Sequence, residues 1–228
     1  FEDITARSGA GVVRGTRGCV AADFDNDGHV DLYLNNGGPS NVLINDVISD
    51  FPPFVQFYIA WEPAENTLLR NRGDGTFEDV TRGSGAEGLG IGSGVGAADL
   101  NDDGFADLFG TERTYYAMGK QVSTQAGRTR LLVNRANRNG WLKVALEGKR
   151  SPRTPFGARV TVVAGDLVQH QVLQSAHGYN STNDPVMIFG VGSRATVDRV
   201  EVRWPSGAVQ VIEKPALRQT LRIVEARP

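Results

Sequence analysis

The chain has 228 residues, 40% of them apolar, with a net charge of −2 and one cysteine. That is enough apolar material for a hydrophobic core, which excludes a disordered chain, and one thiol excludes an internal disulfide framework or a cysteine-built zinc site. The longest apolar run, FPPFVQFYIAW (51–61), holds two prolines and falls short of the ~20 residues that span a bilayer as a helix.

Charge divides the chain. Residues 1–134 hold 10 Lys/Arg against 19 Asp/Glu, a net −9, whereas residues 135–228 hold 14 against 7, a net +7. The change of sign marks a boundary near residue 135. In the basic half arginines alternate with apolar residues, as in RVEVRW (199–204), which reads as the solvated face of a sheet and not as a nucleic-acid surface. Phe1 in place of an initiator methionine suggests a processed or trimmed product, so the lack of a signal peptide does not exclude export.

From the N-terminus, FEDITARSGA (1–10) returns as FEDVTRGSGA (77–86), and AADFDNDGHVDLY (21–33) returns as AADLNDDGFADLF (97–109), both displaced by 76 residues. One offset held by two segments marks an internal repeat, with units of about 1–76 and 77–134. GCVAAD (18–23) predicts a short strand entering an acidic loop, and DLYLNN (31–36) a strand leaving it; GVGAAD and DLFGTE repeat the plan. Cys19, in the first of these strands, is expected to be a small buried residue. NTLLRNRGDGTFEDVT (66–81) predicts a hairpin with GDG in its turn, and RTRLLVNRANRNGW (128–141) echoes its first part at an offset of 63. The RGD at 72–74 therefore belongs to a turn and is not read as an adhesion motif. GSGVGA (92–97) runs into an acidic loop with no helix behind it, so it is not a dinucleotide fingerprint. Several short strands per unit predict a propeller-like blade. The units differ at about 37–65 and 110–127, read as insertions, and Phe54, Phe57 and Trp61 are candidate contacts for a partner or for docking against the C-terminal domain.

Each acidic loop places oxygen donors at positions 1, 3, 5 and 9. In the first copy these are Asp23, Asp25, Asp27 and Asp31, with Gly28 at position 6 and the His29 carbonyl at 7. The second copy offers Asp99, Asn101, Asp103 and Asp107, with Gly104 and the Phe105 carbonyl. Alternate residues of a tight loop point inward, and all-oxygen donors suit a hard cation that accepts about 6–8 ligands, namely Ca²⁺. Two such sites are expected. An EF-hand is excluded, because its position-12 glutamate is replaced by Leu34 and Gly110. Asn26 and Asp102, at position 4, are expected to face solvent.

From residue 141 the pattern alternates. WLKVALEG, GARVTVVAG, LVQHQVLQS, VMIFGVG, VDRVEVRWPSG, AVQVIE and RQTLRIVE predict about seven strands of a β-sandwich, with Val200, Val202 and Trp204 facing inward. The loop SAHGYNSTNDP (175–185) offers His177, Tyr179, Asn183 and Asp184 as candidate ligand-lining residues; a turn closed by its own Asn and Asp side chains is the alternative, and a glycan is one candidate partner of the chain. The three histidines form no pattern with a nucleophile.

At these residues a resemblance becomes specific. GVGAADLNDDGFADLF and LLRNRGDGTFEDVT resemble the FG-GAP/VCBS repeats of calcium-loaded β-propellers, integrin α-chains included. The C-terminal series GARV, DP, FGVG and VEVRWPSG resembles the ASPIC/UnbV domain, which follows such repeats in cartilage-acidic-protein-like proteins. The resemblance implies calcium in the loops and rings of about seven blades. Two blades close no ring, so open strand edges are expected to be covered by the sandwich, a partner or another copy.

The expected architecture is all-β: two propeller-blade-like calcium-binding repeats (1–134) followed by a β-sandwich (135–228). The expected role is a calcium-stabilised extracytoplasmic binding or assembly module, a candidate subunit of a larger surface or membrane-attached complex. The competing expectation is an enzyme, or enzyme subunit, acting on a glycan or small molecule in an interdomain cleft.

Overall fold

The computed structural model describes residues 1–12, 15–40, 60–62, 64–90, 92–112, 116–117, 120–121, 129–176 and 182–226. Phe54, Phe57, His177 and Tyr179 lie outside them. The fold is nearly all β, with one four-residue helix, α1 (Thr5–Ser8), among the described residues.

The repeat builds two antiparallel sheets. The first orders β1 (Thr16–Ala22), β2 (Asp31–Asn36), β3 (Thr67–Asn71) and β4 (Phe77–Asp79) side by side in sequence order. The second orders β5 (Gly92–Ala98), β6 (Asp107–Glu112) and β7 (Thr129–Leu132) in the same way. Their registers reproduce both sequence offsets. Asp31 lies opposite Ala22 as Asp107 lies opposite Ala98, and Leu32 opposite Leu69 as Leu108 opposite Leu132. Among the described residues, β7 has no fourth strand beyond it.

The two sheets share one core of Val20, Phe24, Tyr33, Ala86, Val95, Ala97, Ala106 and Leu108. The period of two decides which residues enter it. Val20 is buried, so its neighbour Cys19 points outward and is exposed, contrary to the sequence expectation. Context also splits the two copies of one sequence. Phe77–Asp79 follows the β3 hairpin turn and pairs with β3, while Phe1–Ile4 has no partner strand among the described residues and runs into α1, capped by Gly9 at φ 73°. Short ribbons complete the repeat region, among them Gly38–Ser40 against Ala60–Glu62, where Pro39 lies opposite Trp61.

The C-terminal strands are β8 (Gly140–Glu147), β9 (Arg159–Ala164), β10 (Leu167–Val172), β11 (Met187–Gly192), β12 (Arg199–Arg203), β13 (Val209–Glu213) and β14 (Thr220–Val224). They form a β-sandwich of two sheets, ordered β11-β8-β14 and β10-β9-β12-β13, with β8 and β14 parallel. Leu142, Val144, Val160, Val162, Phe189, Val191, Val200, Val202 and Trp204 fill the space between them. Each such side chain contributes roughly 1.5–3 kcal/mol when fully buried. Glu225, past the end of β14, is also buried. Its carboxylate accepts the Lys149, Arg150 and Ser151 amides and the hydroxyls of Ser151 and Ser206.

One strand departs from alternation in a telling way. In β8 every residue from Gly140 to Val144 is buried. Continuous burial means that both faces of the strand are covered. Leu142 and Val144 enter the sandwich core, and Trp141 and Lys143, on the other face, meet the acidic loops.

Candidate metal centre

The two loops share one hydrogen-bond scaffold, residue for residue. Asp23 accepts the Asp27 amide at 3.1 Å and the Gly28 amide at 2.9 Å; Asp99 accepts those of Asp103 at 3.1 Å and Gly104 at 2.8 Å. Asp31 receives Phe24 and Asn71 amides at 3.0 and 2.8 Å, and Asp107 receives those of Leu100 and Asn134 at 2.8 and 2.7 Å. Asp27 accepts the His29 amide and Asp103 that of Phe105, at 2.8 and 2.9 Å. The position-6 glycines take positive φ, 102° at Gly28 and 88° at Gly104, and so close each turn without a Cβ clash.

The first loop gathers charge. Asp23, Asp25 and Asp27 each bring a carboxylate oxygen into a group whose members all lie within 4.8 Å of one another. Asp31 stands beside them, fully buried. Burial, reinforced by mutual repulsion, raises Asp23 to about 8 and Asp31 to about 7, and raises Asp25 as well. Three converging carboxylates, one buried and two half-buried, fit a hard divalent cation by the chemistry of the donor set. His29 is half-buried, with its ring against Gly73 in the adjacent hairpin turn. In that turn Asp74 accepts the Thr76 amide and hydroxyl and Arg72 lies 3.6 Å from Glu78, so the RGD sequence is tied into hairpin structure.

The second loop differs in two respects. Asn101 replaces the position-3 carboxylate, and Lys143 Nζ from β8 lies 2.8 Å from Asp99 Oδ2 and 2.6 Å from Asp102 Oδ1. Burial lowers the Lys143 pKa, but hydrogen bonds to Asp102 and Asp99 outweigh it and leave the ammonium above its ordinary value. The Phe105 side chain is fully buried.

Both loops seat against the sandwich. Trp141 on β8 lies opposite Gly190 on β11, so the two face the same way. The Trp141 ring covers Gly104, and Gly190 lies against Asp23 and the Asn26 backbone. Asn26 is fully buried, which corrects the expectation that it faces solvent: its amide donates to the Gly104 carbonyl at 3.0 Å, and its carbonyl accepts the Gly192 amide at 2.8 Å. The Asp102 side chain does face outward, 90% exposed.

Sequence reading missed Lys143, Trp141 and Gly190, because alternation alone assigns the non-core face of a strand to solvent. It also missed the connector, where the amides of Asn137 and Asn139 donate to the Asp25 carbonyl at 2.6 and 2.8 Å and that of Asn134 to the Phe24 carbonyl at 2.8 Å. Its signal was visible as a run of asparagines in NRANRN. Asn183 is placed as a clamp, its side-chain oxygen accepting the Ala97 amide at 3.0 Å.

Among the described residues, two hollows adjoin the centre. A groove of about 410 Å³ between the two repeat sheets is lined by Asp25 and Asp31, by Leu68, Arg70 and Val80, and by β7 and the residues after it, with Leu131 and Val133 exposed. A cleft of about 260 Å³ between the repeats and the sandwich carries two carboxylates: Asp23, already in the cluster, and Asp184, which accepts the Val186 amide. No described helix is long and apolar enough to cross a membrane.

Comparison with known proteins agrees with this architecture. Residues 56–110 match the FG-GAP-like repeat family and residues 148–228 the ASPIC and UnbV family. Cartilage acidic protein 1 of Mus musculus is 28% identical over 197 residues, covering 84% of this chain and 26% of the relative. The Homo sapiens protein of that name is 27% identical over 197 residues, covering 84% and 25%, and that of Xenopus tropicalis 27% identical over 204 residues, covering 85% and 26%. The chain thus spans about a quarter of the length of the curated relatives it matches.

Proposed function

We propose that this chain, which joins an FG-GAP-like repeat segment to an ASPIC and UnbV domain, is an extracytoplasmic protein-binding or assembly module stiffened by calcium. The observation that carries the reading is the position of the Asp23–Asp25–Asp27 cluster. It lies at the junction of the repeats with the sandwich, and Asp25 and Asp31 also line the groove between the repeat sheets. Asp23, Asp25, Asp27 and Asp31, with the His29 carbonyl, would hold the ion. Bound there, calcium neutralises carboxylates that otherwise repel and fixes the wall of the groove. The second loop, with Asp99, Asn101, Asp103, the Phe105 carbonyl and Asp107, is a weaker donor set. A protein partner fits the groove better than a polar ligand does, because exposed Leu131 and Val133 flank it and Arg70 and Arg135 border it.

Two measurements test this. Adding calcium to the chelator-stripped chain raises Tm, and Asp25→Asn abolishes most of the rise. Gentle purification of the unaltered chain should give companions or a native mass above that of one chain, and Leu131→Glu should abolish these while leaving Tm unchanged. An unchanged Tm with and without chelator would sink the calcium part; unchanged native mass and companions in Leu131→Glu would sink the groove as the contact surface.

A further inference from the structure

We propose that Lys143 is the resident cation of the second acidic loop. The two loops, alike in backbone, then differ in what neutralises them: a divalent ion at the first and the chain's own ammonium at the second. This rests on the first loop being the calcium site described above, and it departs from the expectation of two equivalent ions. The donors of the second loop, as they stand, do not fit a second ion equal to the first.

The contrast is sharpest at one pair of equivalent atoms. Asp23 Oδ2 and Asp99 Oδ2 each take the amide of their loop glycine, at 2.9 and 2.8 Å. What else stands against them comes from neighbouring strands of one sandwich sheet. Against Asp23, β11 presents Gly190, where a Cβ would come within 2.3 Å of Oδ2, so no side chain and no charge can be placed there. Against Asp99, β8 presents Lys143, with Nζ 2.8 Å from the same oxygen.

The ammonium is built in. Lys143 is 4% exposed, its second carboxylate is Asp102 at 2.6 Å, and the Trp141 ring centroid lies 5.9 Å away. A buried ammonium is retained only with such partners, and a buried Asp99 left without it would be uncompensated. Asn101 has also removed one carboxylate, and among the described residues only the first loop brings three together. A divalent ion entering the second loop meets fewer negative charges and a fixed positive charge beside its first ligand. Lys143 therefore joins the basic half of the chain to the acidic half by occupying, as a side chain, the electrostatic role that the other loop assigns to a metal.

The test is calorimetric titration of the calcium-stripped full chain with Ca²⁺, for the unaltered chain and for Lys143→Met, Lys143→Arg and Asp25→Asn. The unaltered chain should take one tight ion, and Asp25→Asn should lose it. Lys143→Met should keep the first ion and tighten binding at the second loop about tenfold or more. Lys143→Arg, which keeps the charge, should retain the original stoichiometry. Two ions of equal affinity in the unaltered chain, or second-loop binding untouched by Lys143→Met, overturns the proposal. Retention of the tight ion in Asp25→Asn would instead defeat the first-loop reading, leaving Lys143→Met to decide the second loop. Should Lys143→Met unfold when stripped of calcium, refolding on calcium addition, read by near-ultraviolet circular dichroism, supports the proposal. Failure to refold at millimolar calcium counts against it.

Discussion

Replacing Gly190 with alanine adds one methyl group at the point where the sandwich touches the first loop. The new Cβ would lie 2.3 Å from Asp23 Oδ2, 2.3 Å from the Asn26 Cα and 2.5 Å from the Asn26 carbonyl carbon. Two of these are backbone atoms, and Asn26 is held by bonds to Gly104 and Gly192. Neither side can yield as a flexible side chain would, so β11 must lift from the loop by about an ångström. Overpacking of this kind costs about 1–3 kcal/mol. Losing the Gly192–Asn26 hydrogen bond adds about 1 kcal/mol. At ~2–4 °C per kcal/mol for a chain of this size, the combined ~2–4 kcal/mol lowers Tm by about 4–16 °C. Calcium affinity should fall with it, because Asp23 is displaced. The matched control is Gly110→Ala, where an added Cβ meets nothing within 4 Å. Scanning calorimetry of both variants, with calcium and with chelator, decides the matter. A Gly190→Ala chain melting within about 2 °C of the Gly110→Ala chain would refute the close seating of β11 on the loop.

The cluster and the sandwich carry opposite pH signatures. Without calcium, Asp23 and Asp31 have folded pKa values of about 8 and about 7, above the ordinary 3.8, so the fold favours their protonated forms. Their contribution is most favourable below about pH 4 and is lost as pH rises from there to about 8. Stability in chelator should therefore decline across that window, and the gain in Tm from added calcium should grow with pH; a gain independent of pH would count against the cluster as the ion's site. Glu225 is the reverse case, held at about 2 by two serine hydroxyls and three backbone amides that outweigh its burial. Its stabilisation is present above about 4.5 and is lost as pH falls towards 2, so Glu225→Gln should lower Tm at neutral pH and flatten the acid limb of the curve. Phe105→Ala removes a side chain only 1% exposed beside the second loop and should cost about 3–5 kcal/mol, measured by denaturant unfolding.

What the amino-acid order determined by itself is the part governed by short-range rules. The 76-residue offset located both loops, and their inner turns match because the bonds that Asp23 accepts from Asp27 and Gly28, and Asp99 from Asp103 and Gly104, span five residues or fewer. The alternation in RVEVRW assigned Val200, Val202 and Trp204 to the core, where they are buried. The tertiary structure alone decided what covers the remaining faces. Periodicity states which residues share a side of a strand, but not what packs against it. Cys19 was therefore expected inside and is exposed, Asn26 was expected outside and is sealed, and Lys143 would read as one more solvated lysine. Lys143 and Asp99 are 44 residues apart, and Gly190 and Asp23 lie further apart still. Only the docking of β8 and β11 onto the two loops brings them together, and that docking makes two nearly identical loops chemically unequal.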